Sequence, residues 1–324
     1  MVSHIDWSQR ASYSLEQMER YYDRIHLPLR YRHSSVPKTD EAALDHLRVL
    51  LHHQVAAVPF ENLSLHYSAH RSISTDPFEI FEKVVGSKAE RGGYCMENSC
   101  LFGTVLRSLG YQVYPVGGRV NEAAQPMSAS QNWKGPKFDG WNHMVNIVTI
   151  GRQRYLVDVG FGSNGPHQPV PLVEGHEFHN VGNQRGRLVH GPIAQHTRAG
   201  QSMWQYEFAN GEPTRWISGY CFTEEEFLPE DFTIMNYFMS THRESWFTFH
   251  LVCVRMILDE AGERVIGDLT LFNDKLKRRV GTTSELVASF VSEEERVAAL
   301  ETYFHIPLTA ADRESIRHTI AEIL

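Results

Sequence analysis

Cysteine is scarce in this chain, with four residues among 324, which is too few for a disulfide scaffold. No apolar run approaches the roughly 18 residues that a membrane-spanning helix needs, so we expect no membrane partner. The opening residues MVSHIDWSQR lack the apolar core of a secretory signal, which favours a cytoplasmic protein. Positive charge is also in deficit, because 31 Lys and Arg stand against 39 Asp and Glu, a net charge of −8. That balance argues against a broad nucleic-acid surface or a polybasic membrane surface.

The composition that is present is ordinary for a globular protein, since 42% of the residues are hydrophobic and 22% are charged. These fractions exclude a largely disordered chain. A length of 324 residues exceeds what one small hydrophobic core fills, so two or three domains are expected. An enzyme is the favoured class of protein at this size.

The first part of the chain carries the sequence signals of helices. Ser14 and Gln17 form a capping-box pattern ahead of LEQMERYYDRI, and Thr39 precedes DEAALDHLRVLLHHQVAAV. A third helix is predicted to begin near Cys95 and to stop at Gly110. The sequence therefore predicts a helical region over the first 110 residues.

From Tyr111 the pattern changes to that of strands. WNHMVNIVTI and QRYLVDV alternate in hydrophobicity around Gly151-Arg152, which predicts a β-hairpin. Between the first strands, residues 121–139 are polar without periodicity and are predicted to form a long loop.

The last part of the chain has a mixed pattern. FTFHLVCVRMIL and ERVIGDLTLF predict a second hairpin. Two helices are predicted to follow it, the first capped at Ser292 and the second with Ile316, Ile320 and Ile323 on one face.

The segment Arg91-Gly92-Gly93-Tyr94-Cys95 contains the first candidate for chemistry. Two glycines permit a tight backbone entry, and Cys95 falls in the first turn of the predicted helix. The positive end of a helix favours a thiolate over a thiol, although a lone cysteine is more often a buried structural residue. A nucleophile also needs a base, so the cysteine alone decides nothing.

The predicted first hairpin supplies a candidate base. With a two-residue turn at Gly151-Arg152, residues whose numbers sum to 303 face each other, so Asp158 lies opposite Val145. His143 is two residues from Val145 and is therefore a diagonal neighbour of Asp158, at about 7–8 Å between Cα atoms. That separation permits a carboxylate-to-imidazole hydrogen bond and leaves the second imidazole nitrogen for a cysteine. A three-residue turn would instead put Asp158 on the opposite face.

Together Cys95, His143 and Asp158 predict nucleophilic catalysis of the Cys-His-Asp type. The three residues by themselves leave a protease, a transglutaminase and an acyltransferase open.

Four segments, taken together, resemble the arylamine N-acetyltransferases. RGGYCMENS at 91–99 is similar to their RGG-x-Cys signature, and VPFENLSLHY at 58–67 to their Pro-Phe-Glu-Asn-Leu segment. WNHMVNIV followed by YLVDVGFG is similar to the histidine and aspartate blocks of the family, and NYFMSTHRESWF at 236–247 to a later segment. One departure is that many relatives carry Leu-Asn where this chain has Asn98-Ser99.

The resemblance implies an α+β multidomain fold with a cysteine-protease-like catalytic core. Its parts would be an N-terminal helical bundle over 1–110, a central β-barrel over 111–228 and a C-terminal α/β lid over 229–324. The bundle would carry the cysteine, and the barrel would carry the histidine and the aspartate.

The resemblance also implies a ping-pong N-acyltransferase. An acyl group would pass from coenzyme A, through an acyl-cysteine, to an arylamine, arylhydrazine or arylhydroxylamine. Acyl-CoA would be a co-substrate, with no permanently bound cofactor and no metal. Acetyl-, propionyl- and malonyl-CoA remain open as donors, with acetyl-CoA first as the family default, although the GWNHMVNIV segment is closer to fungal members that include malonyl-CoA enzymes. The expected partners are a coenzyme A thioester and a small aromatic amine, and we expect a monomer.

Further residues match family positions that bind substrates. Coenzyme contacts are implied for Gly140, Gly160, Phe161, Gly162, Ser163, Thr241 and Ser245. Acceptor contacts are implied for Phe60, Tyr94 and Phe161. Glu61 and Arg91 are expected to form an ion pair that holds the catalytic loop. Arg119 is expected either to attract a carboxylated acyl group or to be a structural arginine.

Two other functions compete with acyl transfer. A Cys-His-Asp hydrolase or transglutaminase-like enzyme would turn over substrate without coenzyme A, but its usual signatures around the cysteine are absent. A non-enzymatic binding module would keep the triad as structure only and would release no free coenzyme A from an acyl-CoA. The departure at Asn98-Ser99 is the sequence feature that favours the binding module.

Overall fold

The computed structural model describes residues 10–121, 136–211 and 215–323. Most of the loop predicted at 121–139 therefore lies outside the described residues. Helices fill the first part of the chain, strands the middle and a mixture the end, in the order that the sequence predicts. The helices are α1 (Leu15–Arg24), α2 (Asp40–Ala57), α3 (Pro77–Phe81), α4 (Cys95–Ser108), α5 (Pro229–Thr241), α6 (Trp246–Phe249), α7 (Glu293–Phe304) and α8 (Ala310–Ser315).

The strands form two antiparallel sheets. Their bounds are β1 (Phe60–Glu61), β2 (Gln112–Val120), β3 (His143–Ile150), β4 (Gln153–Val157), β5 (Val170–Pro171), β6 (Glu177–His179), β7 (Gln184–Gly191), β8 (Met203–Asn210), β9 (Ile217–Glu226), β10 (Val252–Leu258), β11 (Val265–Phe272), β12 (Lys275–Val280) and β13 (Thr283–Ser289). The larger sheet has the order β5-β4-β3-β2-β9-β8-β7-β6, and the smaller has the order β1-β10-β11-β12-β13. In the described part of the chain, β5 and β6 stand at opposite ends of the larger sheet, so its hydrogen bonding is open and barrel closure stays a prediction.

The predicted helix starts are confirmed because each depends on a local cap. Ser14 and Gln17 make both bonds of a capping box at α1, and the Thr39 side chain accepts from the Ala42 N–H at α2. Ser292 caps α7 in the same way by accepting from the Glu295 N–H. Each bond satisfies an N–H that has no partner inside the helix.

Helix α4, which carries Cys95, is held by a buried apolar face. Leu101, Phe102, Val105 and Leu106 are fully buried, and the helix packs against β2 and β3. Burial of each such side chain contributes about 1.5–3 kcal/mol. The sheet that carries His143 and the helix that carries Cys95 are therefore fixed to each other by apolar packing.

The β3–β4 hairpin has the register that the two-residue turn predicts. Asn146 pairs with Val157 and Ile150 pairs with Gln153, so paired numbers sum to 303. Gly151 has a φ of +58°, and a positive φ at the first central residue is typical of a type II′ turn. The turn sets the register, and the register brings Asp158 beside His143.

The smaller sheet joins distant parts of the chain. Strand β1 belongs to the helical first part, yet Phe60 pairs with Val254 and Glu61 pairs with Cys253 of β10. The predicted hairpin of the last part is confirmed as β10 and β11, which are antiparallel. The division at 110/111 and 228/229 stays a prediction.

Two predicted elements near the end of the chain are wrong. The FTF part of FTFHLVCVRMIL belongs to α6, and the strand begins only at Val252. The last helix, α8, ends at Ser315, so the three isoleucines do not share a helical face. Ile316 is buried, whereas Ile320 is 80% exposed.

Among the helices of the described ranges, none combines the length and the apolar character that a membrane-spanning helix requires.

Candidate active site

Cys95 is the first residue of α4 and is almost fully buried, at 4% exposure. Its Sγ lies 3.6 Å from the backbone oxygen of Asn142, next to His143. The Tyr94 N–H donates to Glu97 Oε2 at 3.1 Å, which fixes the backbone at the helix start. The sulfur therefore stands at the positive end of α4, where a thiolate is favoured.

His143 and Asp158 form the hydrogen bond that the hairpin register predicts. The distance from His143 Nε2 to Asp158 Oδ2 is 2.8 Å, and both side chains are buried. The other carboxylate oxygen, Oδ1, accepts from the Gly160 N–H at 2.8 Å. Because Nε2 is held by Asp158, Nδ1 is the ring nitrogen left for the sulfur.

The environment of His143 favours its cationic form. Burial acts to lower the pKa of His143, but the Asp158 carboxylate and a hydrogen bond with Cys95 outweigh burial and raise that pKa to about 10. An imidazolium beside a cysteine stabilises the thiolate. The three groups thus lie together in one buried cluster, an arrangement that can supply an acid, a base and a nucleophile.

Aromatic rings set the orientation of His143. Phe161 meets the imidazole edge-on with ring centres 5.3 Å apart, and Tyr220 lies against it at 4.8 Å. Tyr220 comes from β9, which lies on the opposite side of β2 from β3, so no residue near His143 in the sequence indicates this contact. These contacts restrict rotation of the ring that links Asp158 to the sulfur.

Gly160 brings the loop after β4 against the start of α4. A Cβ at this position would stand 2.5 Å from the Cys95 Cα, which is closer than any side chain permits. The absence of a side chain is therefore what lets Asp158 approach the cysteine-bearing helix.

Cys95 and His143 line a cavity of about 600 Å³. Its other lining residues in the described part of the chain are Phe60, Val120, Asp139, Gly140, Trp141, Asn142, Gly160, Phe161, Phe238, Met239, Glu244, Ser245, Trp246, Phe247 and Phe249. The size is that of a small-molecule site, and aromatic walls are typical of such sites. Of the coenzyme and acceptor residues predicted from sequence, the structure thus brings Gly140, Gly160, Phe161, Ser245 and Phe60 to the cavity.

Four predicted binding residues do not line this cavity. Tyr94 is fully buried and donates its hydroxyl hydrogen bond to Asn236. The Thr241 side chain is exposed and donates back to its own helix, at the backbone oxygen of Tyr237. Gly162 and Ser163 form the turn that follows Phe161, outside the lining.

Several lining residues were missed by sequence reasoning. Trp246, Phe247 and Phe249 come from α6, which the sequence pattern assigns partly to a strand. Their clustering with Phe238 in one segment was the available signal. Arg119 is also absent from the lining, and its guanidinium lies 4.0 Å from the ring centre of Trp141, which does line the cavity.

A buried ionic network lies behind the cysteine. Arg91 Nε is 2.9 Å from Glu61 Oε1, which confirms the predicted ion pair. Lys83 joins it, at 2.7 Å from Glu97 and 3.6 Å from Glu61. Burial acts to raise the pKa of Glu61, but Arg91 and Lys83 prevail and hold it at about 2. Because Glu61 also accepts from the Gly92 N–H, the network fixes the backbone that leads into Cys95.

The described residues contain no group of three or more His, Cys, Asp or Glu side chains arranged to hold a metal ion. The chemistry available at the site is that of a thiol, an imidazole and a carboxylate.

Comparison with known proteins identifies the family. The N-acetyltransferase family profile matches residues 43–313. An N-malonyltransferase FDB2 of Fusarium pseudograminearum is 41% identical over 94% of this chain and 92% of its own length. Arylamine N-acetyltransferase 2 of Rattus norvegicus is 29% identical over 90% of this chain and 94% of its own length.

Solved structures of arylamine N-acetyltransferases have a fold similar to that of this chain. The arylamine N-acetyltransferase of Mycobacterium abscessus has a TM-score of 0.76 at 24% identity, with 97% of this chain and 99% of that one covered. The Mycobacterium marinum enzyme, in complex with CoA, has a TM-score of 0.71 at 25% identity, with 93% and 97% covered. On the family match and the relatives' identity, the chain belongs to the arylamine N-acetyltransferase family and is an acyltransferase.

Proposed function

We propose that this protein transfers an acyl group from a coenzyme A thioester to an aromatic amine through an acyl thioester on Cys95. The observation that carries the proposal is the 2.8 Å hydrogen bond between Asp158 and His143, with His143 and Cys95 together on the lining of a cavity of about 600 Å³. A similar protein from Mycobacterium marinum has been solved in complex with CoA.

The first half-reaction loads the enzyme. The Cys95 thiolate attacks the thioester carbonyl, a sulfur–carbon bond forms to Cys95, and the bond from that carbon to the coenzyme A sulfur breaks. The departing coenzyme A thiolate takes the proton of the His143 imidazolium and leaves as a thiol. The enzyme is then an acyl-cysteine beside a neutral imidazole.

The second half-reaction delivers the acyl group. The amine nitrogen attacks the acyl-cysteine carbonyl, and neutral His143 accepts the proton from that nitrogen. The carbon–sulfur bond to Cys95 then breaks, which releases an amide and restores the thiolate–imidazolium pair. Asp158 holds the imidazole in the productive tautomer and offsets its charge throughout.

We infer that malonyl-CoA is the donor from the names of the more similar relatives. Three relatives at 38–41% identity are named N-malonyltransferases, whereas those named arylamine N-acetyltransferase 2 are 29–30% identical. The proposal of malonyl-CoA therefore differs from the expectation from the sequence, which put acetyl-CoA first. Arg119 is a cation near the cavity, since its guanidinium lies 4.0 Å from the ring centre of the lining residue Trp141.

The acceptor class follows from the cavity walls. Phe60, Phe161 and Phe247 present ring surfaces within reach of Cys95, and flat aromatic molecules gain both apolar burial and ring–ring contact from such walls. We assign the coenzyme to the part of the lining that contains Gly140, Gly160 and Ser245. For Gly162, Ser163 and Thr241, which lie outside the lining, a coenzyme contact rests on the family resemblance alone.

The test loads the enzyme with donor alone. Protein is mixed with acetyl-, propionyl- or malonyl-CoA, released thiol is followed, and the acylated peptide is identified by mass. We expect a malonyl adduct on the Cys95 peptide to form fastest, and no adduct on Cys95→Ala. Cys221→Ala is the matched control, because Cys221 is buried outside the cavity lining and burial raises the pKa of its thiol to about 12.

Different failures have different meanings. An adduct that persists in Cys95→Ala contradicts the nucleophile. An adduct on Cys95 from acetyl-CoA but not from malonyl-CoA contradicts the donor alone and leaves the acyl-cysteine intact.

A further inference from the structure

A second cavity of about 630 Å³ lies along α4, on residues that the catalytic mechanism does not use. It is enclosed by one face of α4, by β3 and by the start of α5. In the described part of the chain, the two cavities share no lining residue. The volume is comparable with that of the active-site cavity and is sufficient for a small organic molecule.

The body of this second cavity is apolar. Met96 from α4, Met144 from β3 and Phe232 from α5 are buried side chains that meet there. Thioethers pack favourably against aromatic rings, and a phenyl group suits a wall of two methionines and a phenylalanine. The apolar body therefore selects an aromatic or aliphatic portion of a ligand.

One end of the second cavity is cationic. Arg107 donates from Nη1 to the backbone oxygen of Ala11 at 3.0 Å, and no carboxylate in the described residues pairs with it. Arg10 lines the same end, but its charge is taken by Glu226 at 2.9 Å. Glu230 lies at the exposed rim. Burial, and the nearby Arg10, lower the pKa of Arg107, so an anion beside this guanidinium would relieve both effects.

The floor of the second cavity has an acceptor with no donor. Asn146 is 1% exposed, and its Nδ2 donates to the backbone oxygen of Ser99 at 2.9 Å. Its Oδ1 has no hydrogen-bond partner. A Cβ on Gly103 would lie 2.7 Å from that oxygen, so α4 approaches Oδ1 closely only because position 103 has no side chain. A buried acceptor without a donor costs about 1–3 kcal/mol, which a ligand N–H would recover.

We propose that this second cavity binds an aromatic amide that carries a carboxylate. The ring packs on Met96, Met144 and Phe232, the amide N–H donates to Asn146 Oδ1, and the carboxylate pairs with Arg107. An N-malonylated arylamine, the product of the proposed function with a malonyl donor, has all three features, and only this link to the product rests on that proposed function. Occupancy would bear on α4 and β3, the two elements that position Cys95 and His143.

The test is a calorimetric titration of the full chain with N-malonylaniline, in the absence of any coenzyme A. Acetanilide, which lacks the carboxylate, and malonate, which lacks the ring, are the matched ligands. We expect saturable binding of N-malonylaniline and at least about tenfold weaker binding of the other two ligands. Acetanilide lacks the charge-assisted hydrogen bond to Arg107, and malonate lacks the ring that packs in the apolar body.

Variants then locate the bound molecule. Arg107→Gln is expected to weaken N-malonylaniline binding about tenfold, and Arg107→Lys to restore part of the loss because the charge returns. Phe247→Ala, which removes a ring from the lining of the active-site cavity and none from the lining of the second cavity, is expected to leave this binding unchanged. Thermal melting of each variant establishes that it folds. If Arg107→Gln does not fold, the binding of N-malonylaniline and of acetanilide is measured in Phe247→Ala with and without Arg107→Lys.

Three results would overturn the proposal. The first is that Phe247→Ala loses binding while Arg107→Gln retains it. The second is equal affinity for acetanilide and N-malonylaniline. The third is that N-malonylaniline shows no saturable binding. None of these measurements uses acyl transfer, so a failed second site is distinguishable from a failed acyl-cysteine.

Discussion

At the scale of single residues, the protonation of His143, the imidazole beside Cys95, depends on the Asp158 carboxylate. Asp158 raises the pKa of His143, and the resulting imidazolium stabilises the thiolate. Asp158 acts on His143 through one 2.8 Å hydrogen bond. A substitution that removes the carboxylate charge with little change in shape therefore tests whether Asp158 acts on Cys95 through His143.

For Asp158→Asn we expect the pH profile of Cys95 alkylation to move to higher pH and the rate at neutral pH to fall. The reason is that the pKa of His143 falls without its anionic partner, so less thiolate exists at a given pH. The measurement is the rate of iodoacetamide labelling against pH, with the labelled peptide identified by mass.

Asp268→Asn is the matched control, because Asp268 is also a buried aspartate but pairs with Arg279 at 2.6 Å, away from Cys95. Its labelling profile is expected to match that of the unchanged protein. Identical profiles for all three proteins would contradict the triad.

The pairing of His143 with Asp158 could be predicted from sequence because a two-residue turn fixes the register of the strands beside it. The direction of Tyr94 could not be predicted in that way. Its hydroxyl bonds to Asn236 of α5, and nothing in the residues around Tyr94 indicates a partner so far along the chain. Local geometry was therefore sufficient to predict the pairing of His143 with Asp158, whereas the residues of the acceptor pocket depend on long-range packing.

At the scale of elements, the junction of the β4 loop with α4 leaves no space for a side chain. A Gly160→Ala methyl group would meet the Cys95 Cα at 2.5 Å, so the loop that carries Asp158 has to move. We expect a loss of acyl transfer of about 10²-fold, the scale of a 1 Å misplacement of catalytic groups. Coenzyme A release from an acyl-CoA donor measures it, with circular dichroism to establish the fold.

Gly191→Ala is the control for that loss, since no atom lies within 4 Å of the position where its Cβ would stand. Its activity is expected to equal that of the unchanged protein. Full activity in Gly160→Ala would mean that the close approach has no catalytic consequence.

Helices with local caps were predictable, because Ser14, Thr39 and Ser292 each satisfy backbone N–H groups within their own first turn. The segment from Trp246 to Phe249 was not, since Phe247 and Phe249 alternate with Thr248 in a pattern that fits a strand as well as a helix. Its rings contact the active-site cavity and Phe272 of β11, and that packing selects the helix.

At the scale of the whole molecule, the buried pair of Glu61 and Arg91 ties the cysteine loop to the smaller sheet. Glu61 lies on β1 and is fully buried, and its removal strands Arg91. We expect Glu61→Ala to lower the free energy of unfolding by about 3–5 kcal/mol. Urea unfolding at neutral pH measures the change, and Glu263→Ala, an exposed ion-pair partner of Arg30, is expected to lose less than about 1 kcal/mol.

The same comparison has a pH dependence with a fixed sign. The pKa of Glu61 is held at about 2 in the folded chain against a usual 4.5, so the unfolded chain binds more protons between these values. The contribution of Glu61 is therefore complete above about pH 4.5 and is lost as the pH falls towards 2. Glu61→Ala and the unchanged protein should converge in stability over that interval, and a gap that stays constant with pH would contradict the pairing.

The family and its order of motifs were readable from the sequence, because the four segments are short and each is local. The donor was not, since no single segment encodes the shape of a cavity built from Phe60, Trp141 and α6. The three-part division, the monomeric state and the cytoplasmic location stay predictions.

Strand β1 has a consequence for how a newly made copy becomes competent. As the polypeptide leaves the ribosome, the cysteine emerges long before Cys253 and Val254, the residues that Glu61 and Phe60 need as neighbours. The surroundings of Cys95 are thus completed only late in translation, because a copy that ends before Val252 contains Cys95, His143 and Asp158 but lacks β10, the partner of β1.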